Sequence, residues 1–222
     1  MLRFQNRAPS ACAPEPLPGT RSAAAKNLLG NIASLFNDAK YSDATVQIYD
    51  TPLPVHKAII CIQSEYFEKA FQDKFVEGSS RTISFREGSG AAYWRVFEYL
   101  YTGDYLDELS TDRLEDDPEL LRDTRVYALA DMLLLGDLKA LCVAKFKDKV
   151  RNLWNSDSFP DCVQEVYATT SHDDCNMRLA VLEVATAHAR ELRDKDIFTD
   201  LLREGGEFSV DYVNALTKML VR

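Results

Sequence analysis

The stretches of this chain that have the composition of β-strands all lie in its first half, and the apolar runs that follow repeat at helical spacing. Residues 44–49 are predicted to form one strand, a second strand begins at Val55 after a turn over 51–54, and residues 82–85 form a third. We therefore expect an α+β fold, in which a small β-sheet flanked by helices is followed by an all-helical extension.

The first apolar run predicts a helix over 28–36, capped by Asn27, with a single hydrophobic face that must be buried somewhere. Residues 57–71 also have helical spacing, and Ser64 can open a new helix inside that run. The apolar residues of the first helix all lie on the same face: Leu28, Leu29, Ile32, Leu35 and Phe36.

Glycines mark the ends of the later helices. One helix is predicted to stop at Gly103, and Gly136 interrupts the helical spacing further along the chain. Beyond residue 152 the apolar spacing predicts four more helices, over 160–170, 176–192, 195–204 and 209–221.

Residues 104–123 are strongly acidic. Such a run is usually a solvated connection, and the alternative is an acidic docking surface for a basic partner. The segment contains two arginines, Arg113 and Arg122, against nine acidic residues: Asp104, Asp107, Glu108, Asp112, Glu115, Asp116, Asp117, Glu119 and Asp123.

The composition of the chain excludes several classes of function. With 26 basic against 35 acidic residues, the net charge of −9 does not suit binding to nucleic acid. No apolar run approaches the roughly 18 residues of a membrane-spanning helix. Residues 1–26 contain four prolines and are predicted to form a disordered tail rather than an amphipathic transit peptide. The odd number of widely spaced cysteines favours reduced thiols inside the cell.

Several short motifs occur in an order that resembles the BTB/POZ family. Tyr-Ser-Asp-Ala-Thr-Val begins at Tyr41, Val-His-Lys-Ala-Ile-Ile at Val55, Ser-Glu-Tyr-Phe at Ser64, Tyr-Thr-Gly at Tyr101 and Val-Tyr-Ala-Leu-Ala-Asp at Val126. The resemblance covers about 40–149, and the whole chain looks like the BTB-only proteins of filamentous fungi. It implies a tail over 1–26, a BTB/POZ domain over 27–150 with an acidic insertion, and a helical extension over 151–222.

The resemblance also implies a homodimer. In this family the first helix packs across a two-fold axis, which assigns Leu28, Leu29, Ile32, Leu35 and Phe36 to the dimer interface; the alternative is packing on the chain's own core. Asp43 and Lys57 would line a charged pocket at that interface, or form an intrachain pair that holds the hairpin together.

His56 has a separate interpretation. A catalytic or metal-binding role requires partners that converge on the imidazole, and the sequence suggests none nearby. We expect a hydrogen-bonded structural histidine.

The segment Phe75-Val76-Glu77 matches the hydrophobic-x-Glu motif by which some BTB domains dock onto a cullin scaffold. The resemblance therefore implies a substrate adaptor of a cullin-based ubiquitin ligase that holds an unknown protein client. Two alternatives stay open: a scaffolding homodimer without cullin binding, in which Phe75 folds back onto the domain, and a transcriptional co-regulator that binds proteins rather than DNA. We expect the protein in the cytoplasm or the nucleus.

Motifs for enzymes and cofactors do not appear in the sequence, which has no Gly-x-Gly-x-x-Gly, no phosphate-binding Gly-x4-Gly-Lys-Ser/Thr and no Gly-x-Ser-x-Gly. Cys162, His172, Cys175 and His188 are the one set of residues that resembles a metal site. Their spacing suits separate core thiols and a loop histidine better than a tetrahedral zinc site. We therefore predict no enzyme activity, no cofactor and no metal.

Overall fold

The computed structural model describes residues 22–72, 80–171 and 175–220. Its sheet contains three strands, β1 (Ala44–Ile48), β2 (Thr51–Val55) and β3 (Thr82–Phe85). The strand order is β2-β1-β3, with β1 antiparallel to β2 and parallel to β3. Helices surround this sheet and continue to the end of the described chain, which confirms the α+β fold with a helical extension.

The predicted turn over 51–54 is wrong, because those residues form most of β2. Pro52 pairs with Gln47 and Pro54 pairs with Thr45 in the antiparallel ladder. A proline cannot donate a backbone hydrogen bond, and it is tolerated where the strand lies at the edge of a sheet. β2 is such an edge strand, since β1 is its one neighbour in the described sheet.

The described residues of the first part of the chain form six helices. Ser64 opens the third of them as predicted, because its hydroxyl accepts a hydrogen bond from the Phe67 N–H. Gly103 ends the fourth with a left-handed backbone (φ = 77°), also as predicted. The helices are α1 (Ala23–Ala33), α2 (Lys57–Gln63), α3 (Glu65–Ala70), α4 (Gly90–Thr102), α5 (Glu119–Met132) and α6 (Gly136–Leu153).

The first helix differs from its predicted form. Its N-cap is Ser22, whose hydroxyl accepts from the Ala25 N–H, and the helix ends at Ala33. Leu35 and Phe36 therefore lie in the turn that follows the helix rather than on its face. Asn27 lies inside the first helical turns and does not cap the helix.

The extension has five helices within the residues that the structure describes: α7 (Phe159–Thr169), α8 (Cys175–Ala187), α9 (Ala189–Arg193), α10 (Asp196–Glu204) and α11 (Glu207–Leu220). The predicted helix over 176–192 is divided at His188, whose φ of −110° and ψ of 25° leave the helical region. The His188 ring stacks on Trp154 with centroids 3.7 Å apart, which holds the break against the end of α6. One buried apolar cluster runs from Ala44 in the sheet to Tyr212 in α11, so the extension shares its core with the sheet.

The acidic segment is solvated only in part: six of its nine acidic residues are exposed, and three pack against the domain. Asp117 and Asp123 are almost completely buried, and Asp116 is half-buried. These three carboxylates form ion pairs with basic side chains on α4, α5 and α6. Leu114 packs so closely on α4 that a Cβ added at Gly90 would lie 3.0 Å from its Cδ2. The segment therefore belongs to the folded body of the protein.

Candidate functional site: an exposed helix beside the core

The surface of α1 is the first candidate site. In the described part of the chain none of the eleven residues of α1 is buried, and Leu28 and Leu29 are 61% and 43% exposed. Ile32 is half-buried. A helix with an apolar face that contacts so little of its own chain has surface available for another molecule.

The other two predicted interface residues pack inward. The Phe36 ring meets Trp94 edge-on, with centroids 5.3 Å apart, and lies 5.9 Å from the Tyr101 ring. Leu35 is half-buried against the same core. These contacts anchor the chain just after α1 to α4 and leave Leu28 and Leu29 as the exposed apolar part of the helix.

Asp43 and Lys57 are brought together, although not as a pair of side chains. The Asp43 carboxylate is exposed and accepts a hydrogen bond of 2.8 Å from the backbone N–H of Lys57, the first residue of α2. A carboxylate at this end of a helix satisfies a free N–H and interacts favourably with the helix dipole. The Lys57 ammonium instead lies 4.7 Å above the centre of the Phe71 ring.

His56 is a structural histidine, as predicted. It is buried; its Nε2 lies 2.7 Å from the Lys40 carbonyl oxygen and its Nδ1 lies 2.9 Å from the Tyr101 hydroxyl. Because a carbonyl only accepts, Nε2 is the donor, and Nδ1 accepts from Tyr101. The Tyr101 hydroxyl also accepts from the His56 backbone N–H. Burial raises the pKa of Tyr101 to about 12, so the phenol keeps its proton at neutral pH.

Two further exposed side chains lie on the elements that flank this region. Ile62 on α2 is 85% exposed, and Tyr41 before β1 is 78% exposed with a left-handed backbone (φ = 65°). The helical spacing of 57–71 includes Ile62 but does not show that the side chain faces solvent. Both α1 and α2 contact α4. Exposed apolar side chains therefore occur on several elements beside one central helix.

The family of this chain is given by a match between its sequence and a protein-family model. The family model described as the BTB/POZ domain matches residues 32–149 of this chain, which is more than half of its length. The chain belongs to the BTB/POZ family. BTB domains are protein-interaction modules, so the exposed surfaces beside α4 are the part of this BTB domain to consider first.

Two curated proteins illustrate what the chain is similar to. The mouse Kelch repeat and BTB domain-containing protein 4 is 21% identical over 193 residues, which cover 83% of this chain and 33% of that protein. The Kelch repeat protein M-T9 of myxoma virus is 30% identical over 114 residues, which cover 51% of this chain and 20% of that protein. The chain thus spans about a third or less of the length of these curated relatives.

Two solved structures of BTB domains are similar to this chain over 59% of its length. The BTB domain of zebrafish PATZ1 is 17% identical, with a TM-score of 0.44, and covers 59% of this chain and 98% of its own. The BTB domain of human gigaxonin is 24% identical, with a TM-score of 0.41, and covers 59% of this chain and 97% of its own.

The cullin-docking motif predicted for this BTB domain, Phe75-Val76-Glu77, lies outside the described residues. The described residues stop at residue 72, just after α3 and the buried Phe71, and resume at residue 80, just before β3. The position of the motif between α3 and β3 is therefore known from the sequence, and its docking role stays a prediction.

The predicted metal-like set is not gathered into a site by the residues that the structure describes. Cys162 is buried and its thiol lies 3.5 Å from the Leu120 carbonyl oxygen, while the ring of His188 stacks on Trp154. Burial raises the pKa of Cys162, which keeps the thiol protonated. His172 and the side chain of Cys175 lie outside the described residues. Within the described ranges no group of three histidine, cysteine or acidic residues could hold a metal ion.

Among the helices of the described residues, none has both the length and the apolar composition needed to cross a bilayer.

Proposed function

We propose that this chain is a non-enzymatic interaction module that forms a homodimer through α1 and acts as a substrate adaptor for a cullin-based ubiquitin ligase. The observation that carries the proposal is the exposure of Leu28 and Leu29 on a helix that the described chain leaves unburied. A two-fold contact buries the same surface on both copies, so one apolar helix face is enough to form it.

The anchoring of α1 favours a dimer over a loose arm. Phe36 and Leu35 hold the turn after the helix against Trp94 and Tyr101, so α1 leaves the domain from a fixed point. A surface that is already positioned loses less conformational entropy when it binds. The resemblance assigns Asp43 and Lys57 to the same interface. The two residues are held together by the hydrogen bond from the Lys57 backbone N–H to the Asp43 carboxylate at the start of α2.

Replacing both Leu28 and Leu29 with aspartate is expected to convert a dimer into a monomer. In dilute solution the wild type should have twice the chain mass of 25.1 kDa, and the variant should have that mass itself. The charges would otherwise be buried without partners at the dimer axis. The measurement is light scattering on a size-exclusion column. Leu35 is a poor choice for this variant, because it packs against the core.

The matched control places the same two charges on the opposite side of α1. Ala23 and Asn27 are exposed on that side, and Ala23→Asp/Asn27→Asp is expected to keep the dimer mass. A wild type that has a mass of 25.1 kDa in dilute solution would show that α1 is not a dimer interface.

The cullin contact is tested separately. Glu77→Lys is expected to lower the affinity for a purified cullin N-terminal domain at least tenfold, because a carboxylate next to an aromatic anchor is replaced by the opposite charge. Glu87→Lys makes the same change in the exposed turn after β3 and should leave the affinity unchanged. Both variants should remain dimers. Equal affinity of Glu77→Lys and wild type, measured by calorimetry, would remove the motif from the proposal.

The client and the location complete the proposal. The acidic insertion is tied to α4, α5 and α6, so the helical extension is the better candidate to hold a client protein. The overall plan resembles BTB-only proteins of filamentous fungi, and such an adaptor would act in the cytoplasm or the nucleus.

A further inference from the structure

A groove of about 460 Å³ opens between α8 and α11 in the helical extension. Leu179 and Leu182 on α8 form one apolar wall, and Ala215 on α11 lies opposite them. Leu179 is 55% exposed, which is unusual for a large apolar side chain that lines a concave surface. Nothing in the proposed dimerisation through α1 or in the cullin motif uses this groove.

The charged groups of the groove are unequally satisfied. Arg178 lies over the Tyr167 ring and donates to the Glu207 carboxylate, so its charge is already paired. Asp211 accepts one hydrogen bond, of 3.0 Å, from the Tyr167 hydroxyl. Lys218 makes no ion pair with any residue that the structure describes. The groove therefore presents a cation without an anion and a carboxylate that can accept more.

The arrangement of these two groups on α11 is self-complementary. Asp211 and Lys218 are two helical turns apart, on the same side of the helix, and the midpoint between them falls at Asn214 and Ala215. If a second α11 runs antiparallel across that midpoint, each Asp211 faces the Lys218 of the other helix. The small side chain of Ala215 at the crossing allows the two helices to approach closely.

The exposed apolar residues fit the same arrangement. Met219 lies near the end of α11, on the side of the helix that carries the buried Phe208 and Tyr212, and is nevertheless 57% exposed. In an antiparallel pair this end of α11 lies beside the beginning of the groove of the other copy. An apolar side chain that overhangs one copy would thereby cover apolar surface of the other.

We propose that the α8–α11 groove is a second two-fold interface, in which α11 of another copy of this chain lies in the groove and the arrangement is reciprocal. The four helices, α8 and α11 from each copy, form one layer with two Asp211–Lys218 pairs. An interface built from one pair of 14-residue helices is small, so it forms in concentrated rather than dilute solution. Together with a dimer through α1, it links dimers into longer assemblies, since two different two-fold axes on one chain do not close at two copies.

The experiment uses the Leu28→Asp/Leu29→Asp chain, in which the α1 surface is disrupted, so that the groove is tested whether or not α1 forms a dimer. Sedimentation of this chain over rising concentration is expected to show a monomer–dimer equilibrium. Lys218→Asp or Asp211→Lys alone should weaken the association about tenfold or more, because each places like charges opposite each other twice.

The mixture of the two variants is the decisive measurement. An equimolar mixture restores both opposite-charge pairs and should associate about as strongly as the parent chain, as should the Asp211→Lys/Lys218→Asp double variant. The melting temperature of each variant shows whether it folds. If a single variant does not fold, the comparison is made between the Asp211→Lys/Lys218→Asp double variant and the parent chain. A parent chain that stays monomeric at all concentrations, or a mixture and a double variant no stronger than the single variants, overturns the proposal and leaves the groove to a different partner or to none.

Discussion

Replacing Arg95 with methionine is expected to lower the free energy of unfolding by about 3 kcal/mol. The Arg95 side chain is completely buried and lies 2.7 Å from the Asp116 carboxylate. It also donates to the backbone carbonyls of Leu106 and Asp107, which fasten the acidic insertion to α4. Methionine keeps most of the apolar stem but none of these contacts. The loss is at the low end for a broken buried pair, because Asp116 and Asp117 retain other arginines.

Arg122 provides the matched control. It pairs with the same Asp116 at 2.9 Å, yet its side chain is partly exposed, so Arg122→Met should cost no more than about 1 kcal/mol. Arg95→Lys should fall between the two, since an ammonium cannot reproduce the planar contacts of the guanidinium. Urea denaturation at neutral pH measures all three. Equal losses for Arg95→Met and Arg122→Met would show that the insertion is not held by the buried arginine.

The helix boundaries that depend on neighbouring residues could be predicted from the sequence. Ser64 opens α3 through a hydrogen bond to a residue three positions away, and Gly103 ends α4 through its own left-handed backbone. Both signals are complete within one turn of helix. The BTB/POZ family was accessible for a similar reason, because its motifs are short and their order in the chain is specific.

The second strand could not be placed in this way. Two prolines within four residues are typical of a turn, and the sequence alone does not show that this segment lies at the edge of a sheet. The burial of Asp117 and the partial burial of Asp116 were missed for a related reason. Asp116 and Asp117 pair with Arg95 on α4, and a run of charge contains no sign of a partner that distant.

The sequence predicted which apolar residues belong to the first helical segment, but not which of them are exposed on the candidate dimer surface. The apolar spacing includes Leu28, Leu29 and Phe36 on an equal footing. Whether each faces solvent depends on where Trp94 and Tyr101 lie in the fold, and Phe36 packs on both. The exposed Ile62 was hidden in the same way, because helical spacing does not show which apolar residues have a neighbour.

A second large effect is expected at Asp123, which joins the acidic insertion to α6. Its carboxylate accepts a hydrogen bond of 2.6 Å from the Tyr105 hydroxyl and lies 3.0 Å from the Lys149 ammonium. All three side chains are buried or nearly so. Asp123→Ala leaves the buried Tyr105 hydroxyl with the weak acceptor Cys142 Sγ, 3.6 Å away, and leaves Lys149 with Asp107 as its remaining carboxylate. We expect a loss of about 3–4 kcal/mol in the free energy of unfolding.

The substitution Asp123→Asn separates the two contributions. An asparagine oxygen can still accept from Tyr105, while the charge opposite Lys149 is gone, so about half of the loss should remain. Asp131→Ala breaks an ion pair with Lys139 in which the carboxylate is mostly exposed, and it should cost less than about 1 kcal/mol. If Asp123→Ala were as mild as Asp131→Ala in urea denaturation, Asp123 would have to reach solvent. The insertion would then be the solvated connection that its charge alone suggests.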